Sequence, residues 1–132
     1  MRSSVSTRRR RGALLIALAV VVLALPASAQ ARLVRFQTPS HKIACGYETT
    51  ERVLRCDALF LNDVGFFLKR EGNAKRRRVT DTVAAPGARV LAYGRTIEFG
   101  SLTCASRRTG LKCKSRVSGH GFRLSRREQK LF

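Results

Sequence analysis

Tryptophan is absent from this 132-residue chain, tyrosine occurs only at Tyr47 and Tyr93, and eight acidic residues stand against 27 lysines and arginines. With so few aromatics to interleave with the cations, stacking on nucleobases has little to work with. No familiar DNA-reading motif is present, so sequence-specific nucleic-acid recognition is not expected. Two histidines and four cysteines, none in a C-x-x-C knuckle, make no convincing metal centre, and no cofactor is expected. There is no nucleophile elbow or other catalytic signature. A long amphipathic helical pattern is also missing, as is any internal repeat of useful length.

The one long apolar run, Ala13 to Leu25, has thirteen residues. Spanning a bilayer takes roughly 17 to 25. Five arginines precede the run, and Pro26 and the small triplet Ala27-Ser28-Ala29 follow it. A basic region, an apolar region and an A-x-A site in that order describe a helical signal peptide over residues 1–29. Gln30 follows the expected cleavage point, so no cysteine is placed there for a lipid anchor. The expectation is a secreted or envelope-associated protein, without a transmembrane span once the leader is removed.

Cleavage would leave residues 30–132 as a single small β-rich domain. The 27 basic residues less the five of the leader leave 22 against eight acids, a formal balance of +14. Such a chain concentrates near polyanions, among them acidic wall polymers and anionic surfaces. Nothing in the sequence sets an oligomeric state.

Short runs of alternating apolar and polar residues predict strands at Leu33–Thr38, Lys42–Glu48, Arg52–Asp57, Val64–Lys69, Arg77–Val83, Arg89–Tyr93, Thr96–Ala105, Gly110–Ser115 and His120–Ser125. Ile43, Cys45 and Tyr47 would face one way, with Lys42, Ala44 and Gly46 facing the other. Turn residues recur at the spacing of a small antiparallel sandwich or barrel. Arg126 to Phe132 could form a helical turn or a tail packing Leu131 and Phe132 onto a sheet.

Cys45 and Cys56 enclose ten residues, and Cys104 and Cys113 enclose eight, with charged or turn-forming residues between. Four cysteines allow three connectivities. The short intervals and the strand pattern favour Cys45–Cys56 and Cys104–Cys113, each across a hairpin, in keeping with an oxidising compartment. Arg107-Arg108-Thr109-Gly110 would be the turn of the second hairpin.

The segments Phe36-Gln37-Thr38-Pro39-Ser40, Ile43-Ala44-Cys45, Leu54-Arg55-Cys56-Asp57 and Asp81-Thr82 carry a family likeness. It continues through Val90 to Gly94, Leu102-Thr103-Cys104 and Gly110 to Cys113, and is most specific at Ser118-Gly119-His120-Gly121-Phe122-Arg123-Leu124-Ser125-Arg126. Together these resemble small exported proteins of actinobacterial type that share a domain of unknown function. The resemblance implies the fold and the disulfides, but no mechanism. Two departures stand out: His41-Lys42 replaces Gly-Asn, and Lys75 to Arg78 occupies the place of a further cysteine.

His120, flanked by two glycines, is the most suggestive residue for chemistry. Asp81 could fix its tautomer, and Ser40 or Ser118 could complete a hydrolytic set. The plainer reading is a tight backbone crossing with a hydrogen-bonded imidazole. Asp57 and Asp81 have Arg55 and Arg78 as neighbours and suit ion pairs. Lys75, Arg76, Arg77 and Arg78, then Lys112, Lys114 and Arg116 on one strand face, then Arg123, Arg126, Arg127 and Lys130 are polyanion-binding candidates if they converge. The leading expectation is therefore a non-catalytic basic module for anionic envelope polymers or surfaces. A small hydrolase around His120 and Asp81 competes with it, as does a module that binds a protein along a strand edge.

Overall fold

The computed structural model describes residues 12, 16–17, 19–28 and 30–132. The helical signal peptide expected over 1–29 lies largely outside the described residues; those of its residues that are described carry no helix or strand. Among the described residues no helix is long and apolar enough to cross a membrane.

From Leu33 onward the alternating pattern produces strands throughout. Strands β1 (Leu33–Gln37), β2 (Ile43–Glu48), β3 (Val53–Ala58), β4 (Val64–Leu68) and β5 (Lys75–Arg78) form an antiparallel meander. The two-residue β6 (Arg89–Val90) adds in parallel to β1, giving the order β5-β4-β3-β2-β1-β6. A second sheet contains β7 (Thr96–Phe99), β8 (Leu102–Arg107), β9 (Gly110–Ser115), β10 (Gly121–Leu124) and β11 (Gln129–Leu131), in the order β11-β10-β9-β8-β7.

The two sheets share one core. Phe36, Leu54, Phe66 and Leu68 from the first sheet and Leu102, Leu111, Phe122 and Leu124 from the second are all 2% exposed or less. Full burial of such a side chain contributes about 1.5 to 3 kcal/mol. Phe66 and Phe122 meet at 5.9 Å between ring centroids, and Tyr47 stacks on Phe99 at 4.6 Å. The chain is thus an all-β, disulfide-stabilised sandwich, as expected.

Both expected disulfides are present, and among the described residues no cysteine is free. Cys45 lies opposite Cys56 and Cys104 opposite Cys113, each pair with its Cα atoms 4.1 Å apart. Closing loops of this size in the unfolded chain accounts for about 2.6 to 2.8 kcal/mol per bridge. That is a large share of the stability of a domain this small.

Three details differ from expectation. Thr96–Ala105 is not one strand, because a tight turn with Gly100 at φ 58° divides it into β7 and β8. The Arg89–Tyr93 strand shrinks to two residues as Leu91 turns into the core. The segment placed at Arg77–Val83 is instead β5, Lys75–Arg78, with all four cations in an edge strand, where charge is tolerated and discourages further pairing. Of the two alternatives for the tail, a helical turn or packing onto a sheet, the structure has the tail on the sheet, as strand β11.

The structure also contains a repeat, contrary to expectation. Ile43-Ala44-Cys45, Leu54-Arg55-Cys56 and Gly65-Phe66-Phe67-Leu68 occupy the same positions in the first sheet as Leu102-Thr103-Cys104, Leu111-Lys112-Cys113 and Gly121-Phe122-Arg123-Leu124 in the second. In each sheet a phenylalanine pairs with the second cysteine, and two leucines pair beside it: Leu54 with Leu68, and Leu111 with Leu124. The cysteines are 11 apart in one half and 9 in the other, so the repeat is out of step along the chain and in step only in the sheets.

Between β5 and β6 the chain passes from one edge of the first sheet to the other, and residues 79–88 strap its outer face. Alternation points Ala44, Gly46, Asp57 and Gly65 outward, yet all four are buried. The strap explains this. A side chain at Gly65 would press on Val79 Cγ1 at 3.0 Å, and one at Gly46 would overlap Leu33 Cδ1 of β1 at 2.8 Å and meet Val83 Cγ1 at 3.4 Å. The two glycines therefore leave the space into which Val79, and Leu33 with Val83, pack.

Candidate functional site

Asp81 belongs to the fastening of this strap. Arg55, on the outer side of β3, donates from Nε and Nη2 to the Asp57 carboxylate at 2.8 and 3.0 Å. It also donates to Asp81 Oδ1 at 2.8 Å and to the Asp81 carbonyl at 2.7 Å. The remaining acceptor capacity of Asp57 Oδ2 takes the Val83 N–H at 3.0 Å. One guanidinium and one buried carboxylate thus join β3 to two points of the strap. Hydrogen bonding from Arg55, reinforced by its charge, holds the Asp81 carboxyl below its ordinary pKa. Asp57 pairs with its neighbour Arg55 as expected, but Asp81 also binds Arg55 and not Arg78, which reaches Asp63 at 3.9 Å.

His120 stands elsewhere. Its Nδ1 lies 3.3 Å from the Phe132 carbonyl oxygen, and its backbone N–H donates to Ser118 Oγ. Among the described residues no hydrogen bond joins His120 to Asp81 or its ring to a serine, and Ser40 interacts with Thr38 and the Lys42 N–H. The flanking glycines have separate tasks. Gly119 adopts φ 75°, a region that favours glycine, whereas Gly121 lies so close to β9 that a Cβ would overlap the Cys113 carbonyl oxygen. The motif around His120 therefore has a complete backbone explanation. His41, at φ 58°, is exposed and hydrogen-bonded to Gln37. Among the described residues no cluster of histidine, cysteine and acidic side chains could hold a metal ion.

The cations fall into three groups. Lys112, Arg123 and Lys130 project from adjacent strands in register on the outer face of the second sheet, and Lys114 lies beside them opposite Gly121. All four are exposed and among the described residues none forms an ion pair, but the Phe132 ring also lies on this face, against Gly121 and 5.4 Å from Lys112 Nζ. Like charges opposed across strands repel, by about 0.7 kcal/mol per pair at roughly 6 Å in water. Arg116 does not join them; it pairs with Glu98 at 2.7 Å and donates to the Gly100 carbonyl. Lys75, Arg76, Arg77 and Arg78 are separate, on the β5 edge of the other sheet, where Arg76 and Arg77 lie over Phe66 and Phe67.

Arg126 and Arg127 form the third group, in the turn between β10 and β11. They line a cleft of about 620 Å³ together with Arg107 at the end of β8, Arg108 in the β8–β9 turn and Lys42 from the loop before β2. Strand direction reverses twice between these turns, which places both arginine pairs at the same end of the sheet. The sequence marks Arg107 and Arg108 as turn residues and Lys42 as a departure from the family pattern, and none of the three as a polyanion-binding candidate. The signal that could have found the two arginines is the matching Arg-Arg pair at the next hairpin turn but one, Arg126-Arg127; no such signal marks Lys42.

Sequence comparison agrees with this architecture, since the match begins in the β2–β3 turn and runs through the whole second sheet, covering residues 49–132. The chain belongs to DUF6636, a family of unknown function. Neither the curated proteins nor the solved structures contain a match. The DUF6636 match includes Cys56, Asp81, both cysteines of the second hairpin and the His120 motif, so it spans the strap, the open cationic face and both arginine turns.

Proposed function

We propose that this DUF6636 protein is an exported, non-catalytic module that binds anionic polymers of the cell envelope through the outer face of its second sheet. The observation that carries this reading is the in-register row Lys112–Arg123–Lys130, flanked by Lys114, with no acidic partner among the described residues. The corresponding face of the first sheet is closed by the strap, so the two otherwise equivalent sheets differ in what they offer to solvent. A row of cations on adjacent strands has the spacing and uniform sign to follow a linear polyanion, which relieves the cross-strand repulsion. The two buried disulfides and the leader pattern support an extracytoplasmic location, with residues 30–132 as the mature domain.

Heparin, used as a model polyanion, tests the proposal. Affinity should fall steeply from 50 to 500 mM salt, with a log–log slope of about −3 for four engaged cations. Replacing Lys112, Arg123 and Lys130 together by glutamine should abolish most of the binding. Replacing Arg76, Arg77 and Arg78 should have the smaller effect. Binding that ignores salt, or survives loss of the row, would sink the reading.

A further inference from the structure

The cleft at the end of the sandwich differs in kind from the open face. Five cations line it and no acid does, so an uncompensated positive potential converges on a half-open concave space rather than a flat surface. Four of the five are guanidinium groups, whose planar forks suit the several oxygens of a phosphoryl group. Two of them are steadied by the protein. Arg107 Nη1 donates to the Ser106 carbonyl at 3.0 Å, and the Arg108 guanidinium lies 5.3 Å from the centre of the Tyr93 ring.

The remaining lining is not charged. Phe60 and Tyr93 contribute aromatic surface, and the Thr38 and Ser40 hydroxyls, 3.2 Å apart, add neutral hydrogen-bonding groups. A bare inorganic anion would use only the arginines. A polymer lying flat would not enter. The combination fits a ligand unit that has an apolar ring face, hydroxyls and at least one strongly anionic group, in a space of ordinary size for a small-molecule site.

We infer that this cleft binds a single phosphorylated sugar unit, with the phosphoryl group among Arg107, Arg108, Arg126 and Arg127 and the ring toward Phe60 and Tyr93. The inference deepens the reading of the protein as an anion binder by naming a second site and its ligand class. Arg123 on the open face and Arg126 in the turn are three residues apart, so an anionic chain on the face can reach the cleft.

Calorimetric titration of the purified, oxidised protein separates the possibilities, with glucose 1-phosphate, glucose, glucuronate and inorganic phosphate as probes. Glucose 1-phosphate should bind at least about tenfold more tightly than each of the others. Arg108→Gln with Arg127→Gln should weaken it by about tenfold or more, whereas Lys112→Gln with Arg123→Gln and Lys130→Gln should leave it nearly unchanged. All of these side chains are exposed, so the variants should fold. Equal affinity for inorganic phosphate or for glucuronate overturns the inference, as does indifference to the Arg108 and Arg127 changes. Glucose 1-phosphate binding without heparin binding would support the cleft and remove the open-face reading; heparin binding alone would do the reverse.

Discussion

Replacing Asp57 by asparagine tests whether the strap is fastened as described. Asp57 is 4% exposed, and its two oxygens accept three hydrogen bonds, from Arg55 Nε, Arg55 Nη2 and the Val83 N–H. Asparagine keeps one acceptor and turns a donor toward groups that are themselves donors. Removing one partner of a buried ion pair costs about 3 to 5 kcal/mol, and an unsatisfied buried N–H about 1 kcal/mol more. Arg55 retains a second carboxylate, which brings the ion-pair part down to about 2 kcal/mol and the total to about 3 kcal/mol. For a domain of this size that lowers the melting temperature by roughly 12 °C or more. Asp81→Asn is the control. Its side chain is 75% exposed and its backbone carbonyl still accepts from Arg55, so it should show only a minor part of the Asp57→Asn effect. Urea unfolding under oxidising conditions reads both variants, and hydrogen exchange at the Val83 amide should accelerate in Asp57→Asn alone. Equal losses for the two variants would refute the fastening, as would an Asp57→Asn loss below about 1 kcal/mol.

The two glycines beside His120 should separate in the same assay. Gly121→Ala has to part β9 from β10 and should cost about 3 kcal/mol or more, whereas Gly119→Ala meets nothing within 4 Å and carries only the backbone cost of φ 75°, about 1 to 2 kcal/mol. Equal effects would show that close approach is not what requires glycine at 121. Stability should also decline in acid. Asp81 is held below its ordinary pKa by hydrogen bonding from Arg55, and Glu48 by the N–H groups of Glu51 and Thr50. A carboxyl with a depressed folded-state pKa stabilises the fold above its unfolded-state value and loses that contribution as pH falls through the folded value. Unfolding measured from pH 5.5 down to 3 should therefore depend less on pH in the Asp81→Asn, Glu48→Gln double variant; an unchanged dependence would contradict the assignment.

How much of this was legible varied with how local the cause was. Ile43, Cys45 and Tyr47 alternate with Ala44 and Gly46, and cross-strand pairing turned that alternation into an inner and an outer face. The two short cysteine intervals led directly to the hairpins, because a disulfide between antiparallel neighbours needs only local pairing. The burial of Gly46, Gly65 and Asp57 was not legible. Their faces would meet water but for a segment that returns from more than ten residues away. Asp81 drew attention through its neighbourhood in the sequence, yet its partner is Arg55, 26 residues distant. The arginine cleft likewise depends on which turns share an end of the sheet, and periodicity says nothing about that.

The sequence by itself determined an all-β chain with two hairpin disulfides and a strong excess of positive charge, since alternation, turn residues and cysteine spacing act through neighbours along the strand. Tertiary structure decided where that charge gathers. It closed one sheet with a strap anchored on Arg55 and Asp57, left the equivalent face of the other sheet without a strap and with only Phe132 lying over Gly121, and brought Arg107 and Arg108 beside Arg126 and Arg127. The physical reason is that local pairing sets which face each side chain takes, while the path of the chain between sheets sets which faces remain exposed and which turns meet.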